Sequence, residues 1–344
     1  MEGFQLGYKI FFLFAILLIT LLVAMYATWA ERKVAAFMQD RRGPNRAGPL
    51  GLLQPLADGL KMLMKEEIIP NTAQRALFIM GPAIAMTTAL LTGVVIPWGG
   101  TFTVGSQSFS LQVADLDIGI LFVFAMVSIG VYGIMLGGWA SNNKYALLGS
   151  IRAASQMISY ELAMGLSIIA LVLVTNTLSL REIVEQQSGW HWNILYQPLG
   201  FVIFLICAFA ETNRAPFDLP ECETELIGGF HTEYSSMKLG FYLFAEYINM
   251  FISSAVIVTL YFGGYQMPLL QDSGLSPNLI TLLGSAFFFL KIFLVIFFFM
   301  WVRWTLPRFR YDQLMNIGWK GLVPLAILNI LITGSVVFFS DYFK

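Results

Sequence analysis

The sequence predicts an all-α integral membrane protein of eight transmembrane helices, with an interfacial amphipathic helix and an acidic cytoplasmic loop. Hydrophobic residues make up 57% of the chain and charged ones only 12%, about half the roughly 25% usual in a soluble domain. Mean hydropathy is +0.72. The apolar runs also have the right length, since a bilayer core of about 30 Å takes about 20 helical residues at about 1.5 Å each. No internal repeat is evident, and residues 1–344 read as a single polytopic membrane domain.

Eight stretches qualify: Ile10 to Ala30, Ala76 to Ile96, Ile118 to Trp139, Ser155 to Val174, Leu195 to Ala210, Leu239 to Phe262, Leu279 to Val302, and Gly321 to Phe339. The fifth is the shortest. The first is not a signal peptide by its pattern, because it is too long for an h-region and is followed by Glu31, Arg32 and Lys33 instead of a small-residue cleavage site.

Lys and Arg are retained on the cytoplasmic side, so their placement orients the chain. Arg32, Lys33, Arg41, Arg42, Arg46, Lys61, Lys65 and Arg75 follow the first span; Lys144 and Arg152 the third; Arg214 and Lys238 the fifth; Arg303, Arg308, Arg310 and Lys320 the seventh. The loops on the other side contribute only Arg181. Both termini are then expected on the outer side.

Within the first basic loop, Leu53, Leu56, Ala57, Leu60, Leu63 and Met64 recur at helical spacing, with Asp58, Lys61 and Lys65 on the opposite face. That pattern predicts a helix lying in the membrane interface. Before it, RRGPNRAGP places three arginines among helix-breaking prolines and glycines. Those arginines serve either as membrane anchors or as a surface facing a partner or an anion.

Charge inside a span is costly, from about 2.5 to above 10 kcal/mol at the bilayer centre, so such residues pair or line water. Glu161 lies inside the fourth span, Glu246 inside the sixth and Lys291 near the middle of the seventh. Glu31 and Glu211 stand at the cytoplasmic ends of the first and fifth. Together they suggest a polar path, with structural pairing as the plainer alternative, above all for Lys291.

The loop from Glu211 to Lys238 holds six carboxylates, Glu211, Asp218, Glu221, Glu223, Glu225 and Glu233. Pro216 and Pro220 prevent a continuous helix there. Pro220 suits the first turn of a new helix, where Glu221 and Glu223 would complement the positive dipole end. Carboxylates crowded into a partly dry site cannot all ionise at neutral pH, and such a coupled set is suited to passing protons. Cys207 and Cys222 have no metal-like spacing, and no phosphate-binding glycine motif follows a strand. No metal, flavin, iron-sulfur or nucleotide site is therefore expected in this chain.

Five stretches carry a family resemblance: ERKV from Glu31, RRGPNRAGPLGLLQPLADGLK from Arg41, SYELAMGL from Ser159, ETNRAPFDLPECETELIGGFHTEYSSMK from Glu211, and WVRWTLPRFRYDQLM from Trp301. Over nearly its full length the chain resembles the H subunits of bacterial NADH-quinone oxidoreductase, respiratory complex I. The resemblance implies a membrane component that forms most of a tunnel admitting quinone (ubiquinone or menaquinone) from the lipid of the bacterial inner membrane. It also implies partners: peripheral subunits that hold the quinone headgroup and the terminal iron-sulfur cluster, and small and antiporter-like membrane subunits. By position in the motifs, Glu31, Arg32, Asp218 and Glu221 would line or adjoin the quinone cavity. Glu211, Glu161, Glu223, Glu225 and Glu246 would begin an acidic proton path, and Arg303 and Asp312 fall in a motif at the cytoplasmic face. The equivalent component of a related hydrogenase or ferredoxin-linked complex, and more remotely a stand-alone ion transporter, are the competing readings.

Overall fold

In hydrocarbon a backbone can satisfy its own polar groups only as a helix or a closed barrel, and long apolar runs without strand-like alternation select the helix. The computed structural model describes residues 2–105, 107–219, 226–268 and 275–342. In chain order the helices are α1 (Glu2–Met38), α2 (Gln54–Met64), α3 (Arg75–Thr92), α4 (Gly119–Ala140), α5 (Lys144–Thr175), α6 (Leu180–Gln186), α7 (Asn193–Tyr196), α8 (Pro198–Glu211), α9 (Ser236–Tyr261), α10 (Pro277–Thr305), α11 (Tyr311–Asn316) and α12 (Val323–Tyr342). A π-helical segment, Ile317–Leu322, joins the last two into one rod.

Among the described residues seven helices are long and apolar enough to cross a membrane, against the eight crossings that the sequence predicts; the remaining one, α8, has 14 residues. Fourteen residues reach only about 21 Å, short of a core of about 30 Å. Pro198 and the non-helical backbone of Gln197 set its start, and its other end stops early. Asn193, just before α8, donates to Leu260 O at the end of α9 at 2.8 Å, whereas Glu211 shares a cavity with Tyr242 and Glu246 of α9. Measured along α9, α8 therefore ends about 15 Å short of where α9 begins. The chain from Glu211 to Leu219 is buried throughout, so the first part of the acidic loop is sunk into the bundle and not displayed on its surface.

Two further boundaries differ from expectation. α1 runs on to Met38, so Glu31, Arg32 and Lys33 lie on the helix and not after it. α5 begins at Lys144, where the Asn143 side chain accepts from Tyr145 N at 2.9 Å, and takes in Arg152. It ends at Asn176 in the left-handed region, φ 52°, which asparagine tolerates well.

α9 is the most buried of the long helices. Beside it α3 and α4 approach closely, because a Cβ on Gly133 would meet Ala85 N at 2.8 Å and Gly81 O at 3.0 Å. The Tyr242 hydroxyl reaches across to donate to Gly133 O at 3.0 Å. Outward-facing Phe11, Leu18, Leu294 and Leu331 are exposed, as a lipid- or partner-facing surface requires. α2 presents Leu56, Leu60, Leu63 and Met64 outward while its Asp58 pairs with Arg32 of α1 at 2.7 Å. A hairpin of β1 (Thr101–Val104) and β2 (Gln107–Ser110) closes one end of the bundle. Tyr8 of α1 donates to Ser110 O at 3.2 Å, and Asn278 of α10 exchanges hydrogen bonds with the backbone of Thr103 at 2.9 and 2.7 Å.

Candidate functional site

The sunken loop gathers the site. Gln156, fully buried on α5, donates to Ala210 O at 2.8 Å and Phe217 O at 2.7 Å, fixing both ends of the turn after α8. That turn includes Asn213 at φ 51°, and it aims Arg214 inward. The guanidinium bonds Glu31 of α1 at 2.5 Å and lies over the Tyr247 ring of α9 at 4.2 Å. Arg303 of α10 reaches the other oxygen of Glu31 at 2.7 Å. The side chains of Glu31 and Arg214 are 7% and 2% exposed, so this cluster is shielded from solvent. Burial opposes the charge on Arg214, but Glu31, Tyr247 and Glu246 outweigh it and hold the guanidinium above its ordinary pKa. Two arginines thus face two carboxylates, Glu31 directly and Glu246 within electrostatic range.

Asp218, further along the loop, is buried and pairs with Arg308 at 2.8 Å. On the opposite side of the cluster lies a cavity between α3, α4, α5, α9 and the loop, lined by Glu211 and Glu246. Glu161 of α5 stands close enough for its charge to act on Glu211, and Ser128 of α4 donates to it. Glu31, Arg214, Glu246, Glu211 and Glu161 therefore form one polar series from α1 to α5.

Of the residues singled out from the sequence, the structure brings together Glu31, Asp218, Glu211, Glu161, Glu246 and Arg303. Glu221, Glu223 and Glu225 lie outside the described residues. Arg32 is on the far side of α1 from the cluster, half exposed and bonded to Asp58. Asp312 is exposed, and its hydrogen bond from Arg310 at 2.6 Å holds its carboxyl below the usual range. Lys291 belongs to the other end of the molecule: its ammonium donates to Phe262 O at 2.7 Å and to Gly264 O and Gln266 O at 3.0 Å. Backbone carbonyls, and not an intramembrane acid, are its partners. Glu233 accepts from Asn143 at 2.5 Å, a tie between the loop and α5.

Arg308, Tyr247 and Gln156 are the members that the sequence did not single out. Arg308 falls in the WVRWTLPRFRYDQLM motif with no role of its own assigned there. Gln156 is a neutral amide in an apolar helix, a polar residue at membrane depth like Glu161 five residues on.

Along the seam between α1 and α10 runs an apolar groove of about 520 Å³, walled by Tyr26, Ala27, Ala30, Phe293, Ile296 and Met300. It continues past Val34 and Phe297 into a second hollow of about 580 Å³ that reaches Arg41 and Trp301. Glu31 and Arg303 meet on the inner side of this seam.

A helical membrane bundle with an ion-paired loop buried beside an apolar groove defines a polytopic membrane protein specialised for charge and an apolar ligand at the same depth. Known proteins place it more narrowly. The family model described as NADH dehydrogenase matches residues 10–334. The chain is 68% identical to the NADH-quinone oxidoreductase H subunit numbered 1 of Cytophaga hutchinsonii, with 94% of each chain covered. It is 63% identical to the H subunit of Flavobacterium johnsoniae, covering 94% of this chain and 93% of that one, and 51% identical to the H subunit numbered 2 of Geobacter sulfurreducens, covering 94% of each. The chain belongs to the NADH dehydrogenase family, among the H subunits of NADH-quinone oxidoreductase.

Proposed function

We propose that this chain is the membrane component of a proton-pumping NADH:quinone oxidoreductase that admits quinone from the lipid and begins the acidic path coupling its reduction to proton movement. It carries no redox centre in this reading; peripheral subunits supply the electrons, and small and antiporter-like membrane subunits carry the path onward. The chain sits in a bacterial inner membrane with both termini on the outer side.

The observation that carries the reading is the position of the Glu31–Arg214–Arg303 cluster, with the apolar α1–α10 groove on one side and the Glu211–Glu246 cavity on the other. A quinone has an apolar tail that suits such a groove. Its two-electron reduction creates local negative charge, which protons or moved charges must balance. An arginine between a quinone-side acid and a cavity-side acid is placed to feel that charge, because in a low-dielectric interior the field is weakly screened. Arg32 and Asp218, with Glu221, form the rim on the quinone side, and Glu161 and Glu246, with Glu223 and Glu225, continue the path from Glu211.

Glu161→Gln and Glu246→Gln are expected to lower quinone reductase activity while the complex still assembles; wild-type rates in both variants would refute the path. Proton pumping should fall in Glu211→Gln. Ala30→Phe narrows the groove and should raise KM for a long-tailed quinone more than for a short-tailed analogue; an equal effect on both would remove the groove from the access route.

A further inference from the structure

Beyond Glu246 the face of α9 that lines the central cavity stays polar. Asn249 and Ser253 follow at helical spacing, and Thr88 and Thr92 face them from α3. Both threonine hydroxyls donate to their own helix, Thr88 to Ile84 O at 2.9 Å and Thr92 to Thr88 O at 2.8 Å, which leaves their lone pairs as acceptors. The space open to water centres is about 40 Å³, room for about three waters at roughly 10–15 Å³ each. Glu211 lines this space. It is 6% exposed, and neither carboxylate oxygen has a hydrogen-bond partner among the described residues. A buried carboxylate without donors is costly, and buried polar groups are nearly always satisfied by protein or ordered water.

Past Thr92 and Ser253 the wall changes character. Val95 and Ile96 are fully buried, and Trp98 donates to Gly93 O at 3.1 Å and stacks on Phe251 with ring centroids 5.5 Å apart. These side chains close the cavity on the side away from the loop.

We propose that this cavity is a blind water site, in which Asn249, Ser253, Thr88 and Thr92 hold a short file of waters that hydrogen-bond Glu211 and Glu246 and end beneath Trp98. The inference rests on the proton-path reading and specifies where its water is stored. The four polar residues are positioning residues: they orient water toward the carboxylates and take no part in the transfer themselves. Because the file is closed at Trp98, a proton delivered to it returns to the carboxylates, and the way onward is sideways through Glu161.

Water-resolving electron cryo-microscopy of the intact complex tests this. Ordered waters are expected between Glu211 and Ser253 and none beyond Trp98; a dry cavity, or a file continuing past Trp98, overturns it. Asn249→Leu should remove the waters and lower kcat about tenfold, the size of one lost charge-assisted hydrogen bond, with KM unchanged. Asn249→Ser, which keeps a polar group, should restore most of the rate. Full activity in a dry Asn249→Leu complex overturns the positioning role. If that variant does not assemble, Ser253→Ala is imaged instead, and an unchanged water file there counts against the site. Waters in place with wild-type rates in Glu161→Gln and Glu246→Gln would instead sink the proton-path reading and leave the water site standing.

Discussion

The two ends of the helix bundle bury polar groups by different means. At the end with the sunken loop, charge meets charge: Glu31 with Arg214 and Arg303, and Asp218 with Arg308. At the other end neutral amides do the tying. Gln187 donates to Thr259 O at 2.9 Å, Asn193 to Leu260 O at 2.8 Å, and Gln197 to Thr333 Oγ1 at 2.8 Å while accepting from Asn329 at 3.1 Å. Even Lys291 is occupied there by three carbonyls. Amide bonds fix geometry without the desolvation cost of ions. Buried ion pairs stabilise little, because desolvation offsets their attraction, and are disruptive when broken, so their concentration at one end marks where a changing charge has to be felt.

That contrast can be broken by substitution. The largest effect is expected at Arg214→Met, which strips a buried carboxylate of a cation and should cost about 3–5 kcal/mol, read as a lower melting temperature and reduced content of this chain in the complex. Adding Glu31→Gln should recover part of it; a double variant as unstable as the single one would show that the pairing is not the cause. Next is Lys291→Met, which should destabilise by about 2–3 kcal/mol through the carbonyls it leaves without a donor. Its quinone KM should not move, and a raised KM would bring that end of the molecule into the chemistry. Gln187→Leu should cost about 1–2 kcal/mol, again in melting temperature alone. Smallest is Arg32→Ala: its half-exposed pair with Asp58 is worth about 0.2–1 kcal/mol, so stability should hardly change, and an unaltered quinone KM would remove Arg32 from the quinone rim.

The spans were legible because apolar length is a one-dimensional property, and Glu31, Glu161, Glu211 and Glu246 stood out as charges against it. Pairing was not legible. Glu31 and Arg214 are 183 residues apart, and they meet only because α8 stops short, a depth that no local pattern encodes. The charges at Glu31, Arg32 and Lys33 resembled the end of a helix; α1 continues because Glu31 is satisfied inside the bundle and Arg32 by α2. The carbonyls around Lys291 come from the turn after α9, a backbone shape invisible in side-chain chemistry. The Asn249–Ser253 stripe had the spacing to be seen, but a lone Asn and Ser in an apolar helix are easily taken for ordinary packing.

The small hairpin bears on the long seam it does not line. Through Tyr8 and Asn278 it fastens α1 to α10 at one extremity, and the Glu31–Arg303 contact fastens them at the other. About 23 residues of α1 separate Tyr8 from Glu31, about 35 Å of helix. A slot held at both extremities widens only by bowing of its two sides in the middle. A long flexible molecule would then pass in edgewise, part by part, with neither helix end letting go and the ion pairs at the inner end undisturbed until the head arrives.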